Sequence, residues 1–489
     1  MTQPIHRRTL LRAGMSVAGA AALTSCTARR SSAAFVAPDG DEVRAAEARR
    51  NPGAVREFRL TAVAAPVDLG GPTVATWSYD AAVPGRPIRV SAGDVVRATV
   101  LNRLPEHTTV HWHGLALRND ADGVPDVTQR HSEPGAEHVY EFTAVNPGTF
   151  WFHPHAGLQL DRGLYAPLIV EDPHEPLAYD DEWVVVVDDW LDGVDGRTPE
   201  TEYAELRTGA GGMMGGHRMG AGSSPLLGGD AGDVRYPHFL LNGRVPAAPA
   251  SYRGRPGTRL RLRLVNAGGD TAFRVALSGH RMTVTHADGF PIEPIDTDTL
   301  LIGMGERYDA LVTLADGVFA LVALAEGKEA IAMGLVRTGS GAVPAPTVRP
   351  AELDRKIISY HQLRPTEAVL LPPRGPDRTV RLALTGGMMG YDWAFNNRRY
   401  DPTSLIPIRA GERVRLSLVN TTMMWHPVHL HGHTFALGDT GVRKDTAIVL
   451  PGQNVTATFD ADNPGRWMVH CHNIYHAEGG MMTLLGYQK

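Results

Sequence analysis

The sequence has 489 residues, 43% hydrophobic and 21% charged, a balance that buries a core and excludes disorder, collagen-like fibre and coiled coil. A net charge of −5 leaves no Lys/Arg surplus to neutralise phosphates, so no nucleic acid is expected as a partner. Cys26 and Cys471 are the only cysteines, which rules out a disulfide framework, and 53 Gly with 35 Pro fit a β-rich chain with many turns.

In chain order, residues 1–30 read as an export signal. His6-Arg7-Arg8-Thr9-Leu10-Leu11-Arg12 precedes a weakly apolar run from Ala13 to Leu23, which is too short to span a bilayer. The paired arginines resemble a twin-arginine signal, which delivers folded protein to the periplasm or cell envelope. Leu23-Thr24-Ser25-Cys26 resembles a bacterial lipobox, so a lipid anchor at Cys26 is the expectation. Residues 31–54, rich in Arg, Ala and Ser, read as a flexible tether.

A threefold repeat organises the rest. Gly93 to Asn102, Gly257 to Asn266 and Gly411 to Asn420 each run nine residues from glycine to asparagine, with the alternation of a half-buried strand. A turn feeding an aromatic-bearing strand follows each time, at Pro147-Gly148-Thr149-Phe150-Trp151, Asp316-Gly317-Val318-Phe319 and Pro464-Gly465-Arg466-Trp467. Helical periodicity is nowhere sustained. The expected fold class is all-β, with three sandwiches over residues 55–174, 175–345 and 350–489. Within the second, residues 209–232 form a Gly- and Met-rich loop carrying Met213, Met214, His217 and Met219.

The histidines fall in register with the repeat. Twenty-one histidines would give roughly one His-x-His by chance, and the chain has five. Nine and eleven residues past the repeat asparagine stand His111 and His113, then Val275 and Leu277, then His429 and His431. Five and seven past the second glycine stand His153 and His155, then Val322 and Leu324, then His470 and His472. Units one and three thus carry four equivalent histidines each, and unit two carries apolar residues instead. Alternate residues of a strand share a face, so each pair aims two imidazoles the same way. Eight imidazoles exceed the four to six or so ligands of one metal and suit a cluster of three ions, provided units one and three pack face to face.

A second site is specific to unit three. Cys471 sits between His470 and His472, with His476 and Met481 downstream and His426 upstream of His429. One thiolate, two imidazoles and a thioether make the ligand set of a blue-copper electron-transfer centre. Unit one has Thr108, Pro154, Gln159 and Leu164 at the equivalent places, so this site is built once.

The motifs His111-Trp-His113-Gly, Trp151-Phe-His153-Pro-His155, His426-Pro-Val-His429-Leu-His431-Gly and His470-Cys471-His472-Asn-Ile-Tyr-His476 with Met481 resemble those of the three-domain bacterial multicopper oxidases (laccases and cuprous oxidases). Asn242-Gly243-Arg244 and Gly305-Glu306-Arg307-Tyr308-Asp309 are similar to that family's middle domain. The resemblance implies three cupredoxin-like Greek-key domains holding four copper ions. Type 1 copper falls to His426, Cys471, His476 and Met481, and type 2 to His111 and His429. The type 3 pair falls to His113, His155 and His472 on one ion, and to His153, His431 and His470 on the other. It also implies reduction of O2 to water at the cluster, with electrons entering at type 1 copper. Asp122 matches the family aspartate that helps supply protons. Many bacterial relatives place an acid directly after the type 1 histidine, whereas this chain has Ala477 and then Glu478, so the usual second proton route is not expected and Glu478 is read as pointing to the substrate instead.

For the reductant, Cu(I), phenols, diamines and Fe(II) are the candidates. Met213, Met214, Met219, Met388, Met389, Met423 and Met424 favour Cu(I) and a role in copper tolerance, although the acid expected at position 422 is Thr422. A laccase-like oxidase of aromatic substrates is the alternative. A copper-binding protein without turnover is disfavoured by the full ligand set.

Overall fold

The computed structural model describes residues 34–208 and 222–489, and between them the short strands Met213–Met214 and His217–Arg218. The segment expected to be an export signal, with Cys26, and the methionine side chains of the long loop lie outside the described residues.

The chain folds as three consecutive cupredoxin-like β-sandwiches. In the first, strands Thr73–Tyr79, Val55–Asp68, Val95–Arg103 and Glu137–Thr143 form one sheet, and Ile88–Ser91, Ala166–Glu171, Gly148–His153 and His111–His113 the other. Leu60, Val96, Val100 and Phe142 of one sheet share a core with Trp112, Phe150, Phe152 and Leu168 of the other. The second and third sandwiches share a larger continuous core, which includes Leu262 and Phe273 of one and Leu416 and Val469 of the other.

The sequence repeat has a structural counterpart. Strands Val95–Arg103, Arg259–Asn266 and Arg413–Asn420 each lie between one parallel and one antiparallel neighbour. Each has at or next to its end a buried asparagine that performs the same task. The Oδ1 of Asn102, Asn266 and Asn420 accepts the N–H two residues on, from Leu104, Gly268 and Thr422. Each Nδ2 donates to two carbonyls, one nearby and one distant in the chain: Glu106 and Ser132, Thr271 and Ile302, Met424 and Val449. The side chain therefore closes the corner where the backbone leaves the sheet, and alanine could not. The second glycine of the repeat is equally specific, because Gly148, Gly317 and Gly465 have φ of 146°, 145° and 149°.

Two expectations need correction. Residues 31–54 are not a flexible tether where they are described. Asp41–Ala48 is a helix burying Val43 and Ala46, and the Glu47 carboxylate accepts the Thr143 N–H and hydroxyl at 2.8 and 2.7 Å. Val36 N–H donates to Tyr487 O, and Arg50 Nη2 to Asn463 Oδ1. This segment thus straps the first sandwich to the third; Arg and Ala are good helix formers as well as frequent in tethers. In the second sandwich, two of the three arginines of the repeat strand do not face water. Arg261 and Arg263 are buried against the first sandwich, where Asp309 pairs with both and the Thr149 hydroxyl accepts from Arg263.

Candidate metal centre

Within each outer sandwich the two His-x-His segments sit on neighbouring antiparallel strands. His111 stands opposite His153, and His429 opposite His470. The first and third sandwiches then meet face to face. The His111 ring stacks on His431 and the His113 ring on His429, each with centroids 3.8 Å apart. Asn119 and Arg466 exchange hydrogen bonds across the same interface, and Asn463 Nδ2 donates to Leu117 O. The equivalents in the second sandwich, Val275, Leu277, Val322 and Leu324, are buried in its apolar core.

The pattern of used and unused ring nitrogens defines the cluster. His111 Nδ1 donates to Asp122 O at 2.9 Å, His153 Nδ1 to Pro154 O at 2.8 Å, and His429 Nδ1 to Asp445 O at 3.0 Å. His113 Nε2 donates to Asp445 Oδ1 at 3.2 Å, and His431 Nδ1 to Asp122 Oδ2 at 3.0 Å. The opposite nitrogens, His111 Nε2, His113 Nδ1, His153 Nε2, His429 Nε2 and both of His472, are buried with no protein partner. A ring that donates from one nitrogen offers a lone pair at the other, which is the state a metal requires. Burial first, then neighbouring imidazoles, pushes the pKa values of His153, His431, His470 and His472 well down, and His155 down to about 3. Neutral rings with orphaned lone pairs fit metal ions and little else.

The structure regroups the two trios expected for the paired ions. His155, His431 and His470 converge, with His431 Nε2 and His470 Nε2 3.1 Å apart. His113, His153 and His472 form the other set, with ring centroids 5.0 to 5.7 Å apart. His153 ends its strand and Pro154 follows, so His153 and His155 do not share a face as strand alternation predicts.

The second site lies beyond Cys471. His426 Nδ1, His476 Nδ1 and Cys471 Sγ form a triangle with sides of 3.0, 3.6 and 3.7 Å. Bonds of about 2.0 to 2.3 Å from one ion to nitrogen and sulfur need a triangle of this size. His476 Nε2 donates to Asp233 Oδ2 at 3.1 Å, so its Nδ1 presents a lone pair. The Thr422 hydroxyl has acceptors in Asn420 Oδ1 and Met424 O, and so accepts from His426 Nε2 at 2.8 Å. Two imidazole lone pairs therefore face each other across 3.0 Å, which a cation between them relieves. Met481 is buried here, its carbonyl accepting the Cys471 N–H and its N–H donating to His476 O; Met482 instead lines a cavity. The six-residue helix Ile474–Gly479 carries His476, and Asn473 caps it through its side chain. Burial pushes the Cys471 thiol up.

Asp122 is fully buried between the two sandwiches, its Oδ1 3.2 Å from His111 Nδ1 and its Oδ2 on His431; burial raises its pKa. Glu478 is exposed at the rim of a cavity of about 500 Å³ whose lining includes His153, His155, His470 and His472, and partial desolvation raises its pKa. His433, two residues past His431, has both nitrogens occupied, by His431 O and Tyr487 OH.

Two functional residues, Asp445 and Asp233, escape sequence reasoning, and the role of a third, Thr422, emerges only from the structure. Asp445 touches His113 and His429 and is clamped by Arg307 at 2.7 and 2.6 Å; burial alone would raise its pKa, but the guanidinium holds it well below the usual carboxylate range. Asp233 orients His476 and accepts from Tyr391 OH at 2.6 Å. Thr422, expected to be acidic, orients His426 as a neutral acceptor. The one signal pointing toward this group was the Gly305–Asp309 motif, which supplies Arg307.

A sulfur-ligated pocket joined through consecutive residues to an imidazole cluster at a sandwich–sandwich interface defines a copper oxidoreductase. Models of the multicopper oxidase family match residues 63–175, 181–340 and 373–488. Multicopper oxidase MmcO of Mycobacterium tuberculosis (strain ATCC 25618 / H37Rv) is 47% identical over 97% of this chain and 95% of its own. A copper resistance protein A homolog of Pseudomonas syringae pv. tomato is 29% identical over 87% of this chain and 91% of its own. The crystal structure of laccase from Botrytis aclada aligns with a TM-score of 0.74 at 26% identity, covering 90% of this chain and 88% of that one. The chain belongs to the multicopper oxidase family, and is thus a copper-binding oxidoreductase that uses O2 and a reductant.

Proposed function

We propose that this chain is a cuprous oxidase that serves copper tolerance after export. His426, Cys471, His476 and Met481 would hold the type 1 ion, His111 and His429 the type 2 ion, and the two regrouped trios the type 3 pair. Bound copper supplies one-electron acceptors and the centre at which four electrons convert O2 to water. The protein contributes the arrangement. Cys471 is bonded through the chain to His470 and His472, a short covalent path between the two centres. The Asp122 carboxyl is placed to pass protons toward the cluster beside His111 and His431. Glu478, at the mouth of the cavity, would relay protons from solvent.

The observation that carries the choice of Cu(I) is the exposure of two thioethers beside the sulfur site. Met423 is 85% exposed and lies three residues before His426; Met389 is 101% exposed and lies two before Tyr391, whose ring is 6.2 Å from that of His476. Exposed methionine is costly to hydration and favours Cu(I) among small reductants. His476 itself is fully buried beneath Trp393, with ring centroids 4.2 Å apart, which disfavours bulky phenols in direct contact with it. The similarity to a copper resistance protein supports the same reading, and the similarity to a laccase keeps aromatic substrates and Fe(II) as the comparison. The twin-arginine-like signal and Cys26 support export to the periplasm or cell envelope with a lipid anchor. O2 uptake with Cu(I), Fe(II) and a phenol tests the choice. Met389→Ala/Met423→Ala should lower turnover of Cu(I) selectively, and an equal effect on all three reductants would remove the methionines' role.

A further inference from the structure

The second sandwich carries none of the cluster's histidines, yet one of its turns reaches the cluster. Gly305 has φ of +84°, and a Cβ there would fall 2.8 Å from His472 Cδ2 and 3.0 Å from His113 Cε1. Only a glycine lets this turn lie against the two rings. Two residues on, Arg307 is fully buried and uses all five of its N–H groups. Nε donates to Thr149 O of the first sandwich. Nη1 and Nη2 donate to Gly305 O and Asp288 O of the second, and both also grip the Asp445 carboxylate of the third. A Cβ on Gly114, next to His113, would fall 2.4 Å from Nη2 and 2.8 Å from Asp445 Oδ2, so the first sandwich closes over the ion pair.

Asp445 passes this fixation on. Its Oδ1 lies 3.2 Å from His113 Nε2 and 3.3 Å from His429 Nδ1, and it accepts the Thr446 hydroxyl at 2.9 Å. Asp288 adds a second clamp on the same stretch of chain, residues 444–446. Its Oδ2 accepts the N–H groups of Asp445 and Thr446 and pairs with Lys444 at 3.0 Å, while Lys444 also meets Glu306 at 2.9 Å.

We infer that Arg307 is a positioning residue for the cluster, through which the histidine-free second sandwich fixes Asp445 and thereby His113 and His429, one ring from each outer sandwich. A planar fork held on five sides leaves Asp445 one orientation. Its Oδ1 then holds the donor nitrogen of His113 and shares that of His429 with the Asp445 carbonyl oxygen, so His113 Nδ1 and His429 Nε2 point to the metal side. Lysine would keep the charge and lose the fork.

This inference rests on the reading of His113 and His429 as copper ligands, and the test separates the two. Copper affinity of the full chain is measured by competition with a chelator for wild type, Arg307→Lys and Arg307→Met, with the blue thiolate-to-copper band at Cys471 as the internal report of folding. Outer-shell partners of metal ligands are worth about 10 to 100-fold in affinity. Both variants should therefore lose copper from the cluster by a factor in that range, with an altered type 2 electron paramagnetic resonance signal and an unchanged blue band. Wild-type cluster affinity and type 2 signal in Arg307→Lys would overturn the inference, and this charge-preserving variant decides the matter if Arg307→Met does not fold. A wild-type protein with no cluster copper would instead overturn the ligand reading.

Discussion

The protonation states of the two centres predict different responses of copper loading to pH. At the sulfur site, burial raises the pKa of the Cys471 thiol above its ordinary value, so the apo protein holds a protonated thiol across the neutral range. A metal binds the thiolate, so loading must expel one proton, and affinity rises with pH by about tenfold per unit while the thiol stays protonated. His426 adds no proton to that count, because burial and then His476 keep its pKa well below the usual imidazole value. In the cluster, His113, His153, His155, His431, His470 and His472 are all depressed, mainly by burial, and already neutral. Above about pH 7, past the ordinary imidazole pKa of about 6.5, loading of the cluster should release almost no protons from its ligands. The assay is a copper titration of apo protein between about pH 7 and 9 in a chelator buffer, reading the blue band for one site and the type 2 signal for the other. The account expects a slope of log affinity against pH near one for the first and near zero for the second. Equal slopes would refute the assignment of neutral, preorganised rings to the cluster.

Asp122→Asn should slow reoxidation of the reduced enzyme by O2 by about 10² to 10⁴-fold while copper content and reduction of the blue band stay unchanged, as stopped-flow absorbance would register. Asn420→Ala removes four buried hydrogen bonds and strands their partners, so chemical denaturation should show a loss of about 4 kcal/mol. Asn102→Ala should lose a similar amount, because that corner is built the same way.

Much of this architecture is local and therefore readable in the sequence. Each repeat strand declares itself by alternation, and each repeat asparagine marks a corner whose partners lie within a few residues or on a strand the repeat already implies. The histidine motifs are legible because they are counted from those corners. Reading ends where partners are far apart in the chain. Asp445 is separated from Arg307 by 138 residues, and Asp233 from His476 by 243, so neither acid stands out from an ordinary turn or edge residue. The trios on the paired ions depend on how Pro154 turns the backbone after His153, which alternation alone does not reveal. The helix Asp41–Ala48 was obscured for a related reason. Its stability comes from burying Val43 and Ala46 and from the Glu47 contact with Thr143, not from a long periodic pattern.

The most direct measurement is anomalous diffraction at the copper edge from crystals of fully loaded protein. Four copper peaks are predicted, one inside the triangle of His426, His476 and Cys471, and three among the eight histidines where the first and third sandwiches meet. A peak at the sulfur site alone, or copper bound away from those histidines, would contradict the account.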